Sequence, residues 1–341
     1  MNDQRVLVTG GSGHVGSHVV KRLLDDGYRV RTTVRSPDSA ARVRQAVGGA
    51  PADRLEYAEA ELTADAGWAE AAAGCDYVLH VASPFPATQP DDPDEVIVPA
   101  RDGALRVLRA ARDAGVKRTV LTSSFAAVGY SRRPGDTYDE SDWTDPADDN
   151  TPYVRSKAVA ERAAWDFVAA EGGGTELSVI NPTGIFGPLL GPYPSASTGL
   201  VKAMLDGAMP VVPPVCFGVV DVRDVADLHV RAMTDPAAAG ERFLACGGEA
   251  VSFLGIARVL AEHLGDAAAR VPARELTVAE LRAAAQEDPR LRDAVRQAGR
   301  VPVIRTDKAR RLLGWSPRAV GATLVDTATS LIGHGLVAPV R

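Results

Sequence analysis

The stretch RVLVTGGSGHVGSHVV, residues 5–20, limits the possible fold more than any other part of the chain. A short run of β-branched and apolar residues reads as a strand, and the periodic apolar residues that follow read as a helix. Gly10, Gly13 and Gly16 stand at the junction. Glycine there permits a tight turn, lets the backbone approach a pyrophosphate, and lets the helix pack closely on the strand. The helix N-terminus, with Ser12, His14 and Val15 beside the glycines, offers unpaired N–H groups and partial positive charge to phosphate oxygens. A glycine triplet alone also suits a flexible turn. Its place at the first strand–turn–helix favours the phosphate loop.

The same alternation continues through the first half. Segments 28–35, 76–83, 117–124 and 177–183 read as strands, and helical patterns ending near glycine lie between them. Strand–helix alternation predicts an α/β fold: a doubly wound parallel sheet of the Rossmann kind, with ligands beyond the carboxyl ends of the strands. The Pro/Gly-rich stretch NPTGIFGPLLGPYP at 181–194 leads to a helix near 196–207, and helices dominate after 246. The expected division is a dinucleotide-binding domain of 1–183 and 218–245 and a smaller, discontinuous C-terminal substrate lobe of 184–217 and 246–341.

Hydrophobic residues make up 45% of the 341 and charged ones 24%, with a formal charge of -6. This is an ordinary globular balance with no basic face for nucleic acid or an anionic membrane. No apolar run reaches the about 18 residues of a membrane span, and MNDQRVLVTG has no signal-peptide pattern. The three cysteines, Cys75, Cys216 and Cys246, lie far apart, without metal-ligand or disulfide-framework spacing. A cytoplasmic protein without a metal site, monomeric or homodimeric and acting on a small molecule, is expected.

An NAD site normally has an acid at the end of the second strand to bond the ribose hydroxyls. Here Val34 and Arg35 end that strand, and Arg42 follows. A guanidinium suits a 2′-phosphate through paired charge-assisted bonds, so NADP(H) is the expected cofactor. Arg31 and Arg44 read as surface charges.

Tyr153 and Lys157 lie four residues apart in PYVRSKAVAERAAWDFVA, one helical turn, so both project from one face. Their stripe continues through Ala160, Ala164 and Phe167, which also suits a packed tyrosine and a lysine whose stem covers apolar surface. Upstream, TVLTSSF ends a strand with Ser123 and Ser124, facing the same crevice. The acidic loop GDTYDESDWTDPADDNTP between them reads as a solvated, helix-starting segment.

Together TGGSGHVG, the strand-end serine, YVRSK and NPTGIFGP resemble the extended short-chain dehydrogenase/reductase family. TVRSP, HVASPF, VDVRDVADLHV and TDKARRLLGWSP are similar to its dihydroflavonol reductase-like branch of ketone and aldehyde reductases. The resemblance implies Tyr153 as proton donor to a carbonyl oxygen. It implies Lys157 as the partner of the nicotinamide ribose that, with the cofactor's positive charge, moves the phenol toward working pH. Ser124 would bond the carbonyl, with Ser123 as the alternative. Glu61 and Leu62 would flank the adenine, Val81, Ala82 and Ser83 would line the cofactor channel, and Pro182 and Ile185 would approach the nicotinamide.

Plant dihydroflavonol reductases carry an asparagine where this chain has Gly129, which argues against a flavonoid. Phe125, Phe186, Leu190, Tyr193 and Phe217 would form an apolar substrate pocket. An NADPH-dependent reductase of an apolar or aromatic aldehyde or ketone is the expected activity. Two alternatives remain: a nucleotide-sugar epimerase or dehydratase with tightly bound NAD, and a non-catalytic NADP sensor.

Overall fold

The computed structural model describes residues 3–49, 53–84, 92–132, 134–288 and 291–339. In chain order the first half contains β1 (Arg5–Thr9), α1 (His14–Asp25), β2 (Arg29–Val34), α2 (Pro37–Val47), β3 (Leu55–Glu59), α3 (Trp68–Ala72), β4 (Tyr77–His80), α4 (Asp94–Asp113), β5 (Arg118–Thr122) and β6 (Thr137–Tyr138). Next come α5 (Pro152–Glu171), β7 (Glu176–Pro182), β8 (Gly184–Phe186), α6 (Ala196–Leu205), β9 (Cys216–Phe217), β10 (Val219–Asp221), α7 (Val222–Thr234) and β11 (Arg242–Ala245). The chain closes with β12 (Val251–Ser252), α8 (Phe253–Leu264), α9 (Val278–Glu287), α10 (Arg292–Gln297), β13 (Val303–Ile304), α11 (Asp307–Leu313) and α12 (Val320–Gly333).

Seven strands form the central sheet in the order β11-β7-β5-β4-β1-β2-β3, and every neighbouring pair is parallel. The order reverses between β1 and β4, so a crevice opens beyond their carboxyl ends. Two strands of this sheet lie outside the segments that read as strands. β3 is short and only partly covered, without apolar alternation. β11 is a fully buried run of four residues, a length that periodicity cannot assign.

A large core joins β1, β2, β4, α1 and α7 through Val6, Val8, Val20, Leu23, Leu79 and Leu228. A second core gathers Phe186, Val201, Met204, Val219, Ile256, Leu260, Leu324 and Leu331. The two do not follow the expected boundaries everywhere. Ala309, Leu313 and Trp315, late in the chain, join the first core, whereas β10 pairs with β8 rather than with the central sheet. No helix among the described residues is long and apolar enough to cross a membrane.

Candidate active site

The phosphate loop is built by exclusion of side chains. Gly10 has a φ of 72°, and a Cβ there would lie 3.0 Å from the Ala82 Cα. At Gly16 a Cβ would stand 2.1 Å from the Gly10 carbonyl oxygen, which itself accepts from the Gly13 N–H at 3.0 Å. The first turn of α1 carries no acidic side chain, and no side chain caps its N-terminus. Its N–H groups therefore remain available to an anion, which is the arrangement a dinucleotide pyrophosphate requires. Thr9 fixes the opposite wall: its hydroxyl accepts from the Ala82 N–H at 2.9 Å and bonds His80 Nδ1 at 2.7 Å. Burial, then the charge of Lys157, lowers His80 to about 3, so the ring is neutral and structural.

Beyond β2, Arg35 is exposed at the helix start where the Ser36 hydroxyl accepts from the Ser39 N–H at 3.3 Å. Arg42, on α2, stacks 4.2 Å over the Tyr193 ring. Arg31 is not the surface charge its position suggested. It bonds Glu56 at 2.8 Å and three carbonyl oxygens at the end of α3, tying β2 to β3. Glu61, expected beside the adenine, is exposed, and a Cβ on Gly103 would meet Leu62 at 2.9 Å, so Leu62 rests on α4.

Local capping sets the tyrosine. Thr151 accepts from the Val154 N–H at 3.3 Å and Pro152 occupies the first helical position, so α5 begins there by ordinary N-cap chemistry. Tyr153 falls in the first turn and Lys157 one turn later. Tyr153 and Ser124 face the same cleft, and the Ser124 hydroxyl accepts from the Ala126 N–H at 3.1 Å. Lys157, only 6% exposed, donates to the Ser83 hydroxyl at 2.9 Å. Burial lowers this ammonium to about 8, against the opposing pull of Glu161.

Burial raises Tyr153 above the ordinary tyrosine value, opposed by the Ser124 hydrogen bond. The lysine is turned to Ser83, so the polypeptide alone does not acidify the phenol. The serine pair divides its work: Ser124 faces the cleft with Tyr153, whereas Ser123 donates to the buried Glu161 carboxylate at 2.5 Å.

These groups line a cleft of about 920 Å³, with His14, Val15, Pro182 and Ile185 on the loop side. Phe125, Phe186 and Phe217 also form its walls, and Phe253, which sequence reasoning missed, meets Phe217 edge-on at 5.3 Å. Leu190 and Tyr193 are not among the walls. Tyr193 is 42% exposed and lies under Arg42, because the loop after β8 crosses toward α2. Asp293, Arg296, Gln297 and Arg300, on and after α10, complete the cleft. The acidic loop is not simply solvated: Asp149 holds Arg296 at 2.8 Å and Asp136 holds Arg300 at 2.6 Å. No periodic signal in sequence brings these partners together. No cluster of metal-ligating side chains occurs among the described residues.

A parallel sheet with a glycine phosphate loop and a Ser–Tyr–Lys group at the strand ends defines a dinucleotide-dependent oxidoreductase site. The NAD-dependent epimerase/dehydratase family model matches residues 6–246. Cinnamoyl-CoA reductase 1 of Arabidopsis thaliana is 40% identical over 247 residues, 70% of this chain and 70% of that one. Dihydroflavonol 4-reductase of Zea mays is 34% identical over 270 residues, 76% and 74% of the two chains. The structure of Gre2 from Candida albicans in complex with NADPH superposes with a TM-score of 0.80 at 26% identity, covering 97% of this chain and 99% of that one. The chain belongs to the NAD-dependent epimerase/dehydratase family, in the dihydroflavonol reductase-like branch of the extended short-chain dehydrogenases/reductases.

Proposed function

We propose that this protein reduces an apolar or aromatic aldehyde or ketone to the alcohol with NADPH. The observation that carries the reading is that Ser124, Tyr153 and Lys157 line one cleft together with His14 and Val15 at the start of α1. The residues present fit the cofactor. The glycine loop and uncapped α1 suit its pyrophosphate, and the exposed Arg35 suits a 2′-phosphate. When bound, the cofactor supplies hydride to the carbonyl carbon.

The chain supplies the proton and the orientation. Ser124 and Tyr153 converge on the carbonyl oxygen and hydrogen-bond the charge that develops there. The raised phenol is protonated at neutral pH, the state a proton donor needs before reaction. Lys157, near 8, is largely an ammonium at that pH and holds the ribose side of the site. The aromatic walls exclude water and favour an apolar substrate.

Gly129 supports a substrate other than a flavonoid, since a Cβ there would strike the Phe125 ring at 2.1 Å. Against the epimerase or dehydratase alternative stands the residue set after Ser124: Phe125, Ala126 and Ala127, with no acid. NADPH consumption on a panel of aromatic and aliphatic aldehydes and ketones tests the reading, with Tyr153→Phe beside wild type. Turnover by wild type and a fall of about 10²- to 10⁴-fold in the variant, with NADPH affinity kept, is expected. Equal rates for both proteins, or tightly held NAD with no carbonyl turnover, would refute it.

A further inference from the structure

One turn beyond Lys157, on the same face of α5, stands Glu161, a carboxylate only 1% exposed. Buried carboxylates are rare unless fully bonded, and this one is. Its Oε2 accepts from the Ser123 hydroxyl at 2.5 Å and from the Asn181 amide at 2.7 Å. Its Oε1 accepts from Arg242 Nε at 2.6 Å. The Asn181 amide also donates to the Ser124 carbonyl oxygen at 3.2 Å. Glu161 therefore reaches both strand-end serines, one directly and one through Asn181. Arg242, 7% exposed, lies 3.7 Å over the Trp143 ring and donates to the Glu140 and Asp142 carbonyl oxygens. Strands β5, β7 and β11, helix α5 and the acidic loop thus meet at this one carboxylate.

Glu161 and Lys157 also face the same small cavity, about 20 Å³, behind the catalytic cleft. The groups facing Lys157 from each packed element are few. β4 and its following turn contribute His80 and Ser83, α4 contributes only Ala100 and Ala104, and β5 contributes Thr122 and Ser123. His80 is neutral. Tyr153 lies on α5 itself, with its ring centroid 5.7 Å from the ammonium. Glu161 is the one negative charge in this set, and Arg242 stands on its far side.

We propose that Glu161 is a positioning residue for the Ser124–Tyr153–Lys157 group, locking the serine pair through Ser123 and Asn181 and setting the buried negative charge that faces Lys157. The direction of the effect on Lys157 follows. Burial disfavours the ammonium and Glu161 favours it. Loss of the carboxylate charge moves the lysine lower still, so the ammonium persists only to a more acidic pH. Loss of an opposite charge one helical turn away is worth about one pH unit at an effective dielectric near 20.

This inference rests on the reductase reading for its consequence in catalysis, but its test does not. The Lys157 titration is followed by NMR in protein labelled at lysine, with the signal assigned by its loss in Lys157→Met. Wild type should titrate near 8, and Glu161→Gln about one unit lower, with the high-pH fall of kcat moving by the same amount and NADPH affinity below that pH unchanged. Should the single variant fail to fold, Glu161→Gln/Arg242→Met removes both buried charges together, and the Lys157 titration should still fall but by less, because the nearer Glu161 charge outweighs that of Arg242. An unmoved or raised Lys157 titration in either folded variant overturns the proposal, even if the melting temperature falls, since a merely structural brace predicts that pattern. A shifted titration in a chain that reduces no carbonyl would defeat the reductase reading and leave the role of Glu161 toward Lys157 standing.

Discussion

Replacing Gly16 by alanine adds one methyl group where the phosphate loop passes over α1. The added Cβ would lie 2.1 Å from the Gly10 oxygen, 2.7 Å from its carbonyl carbon and 2.9 Å from the Gly11 Cα. All three are backbone atoms, so no side chain can rotate out of the way. Loop and helix must separate by about 1 Å to reach van der Waals contact, and overpacking of this kind costs about 1–3 kcal/mol. Alanine regains about 1 kcal/mol in helix propensity, which leaves a net loss of about 0–2 kcal/mol in stability. The larger effect falls on the cofactor. Backbone N–H bonds to a charged group are worth about 1.5–3 kcal/mol each, and a loop displaced by about 1 Å loses the alignment of at least two. NADPH affinity should fall by about 100-fold or more, while the melting temperature without cofactor drops by only a few degrees. Titration of NADPH fluorescence and melting with and without NADPH measure both. Gly16→Ala protein that binds NADPH as tightly as wild type would refute the claim that this glycine is required by backbone approach.

Two further outcomes test the same structure from other sides. Arg35→Ala should weaken NADPH by about 10- to 100-fold and leave NADH unchanged, since only the 2′-phosphate loses its charge-assisted bonds; equal losses for both nucleotides would place the 2′-phosphate elsewhere. Gly129→Asn should destabilise the protein by about 1–3 kcal/mol, because the Phe125 ring it strikes is held edge-on by Tyr138 at 5.6 Å. Pairing it with Phe125→Ala should relieve the clash, and thermal melts of the single and double variants would show whether it does.

The amino-acid sequence determines the parts of this protein that are local in the chain. A strand, three glycines and a helix suffice to specify a phosphate loop, because the turn and the packing of Gly16 on Gly10 involve neighbours within a dozen residues. The pairing of Tyr153 with Lys157 follows from helical periodicity, and the start of α5 from Thr151 and Pro152. Tertiary structure alone decides what depends on distant partners or on burial. Glu161 meets Arg242 across 81 residues, and α10 reaches the cleft through Asp149 and Asp136. Tyr193 leaves the pocket for Arg42. Burial holds the Tyr153 phenol above the ordinary tyrosine value, outweighing the opposing influence of Ser124. Periodicity records which face a side chain takes, but the cost of desolvating a charge depends on everything packed around it.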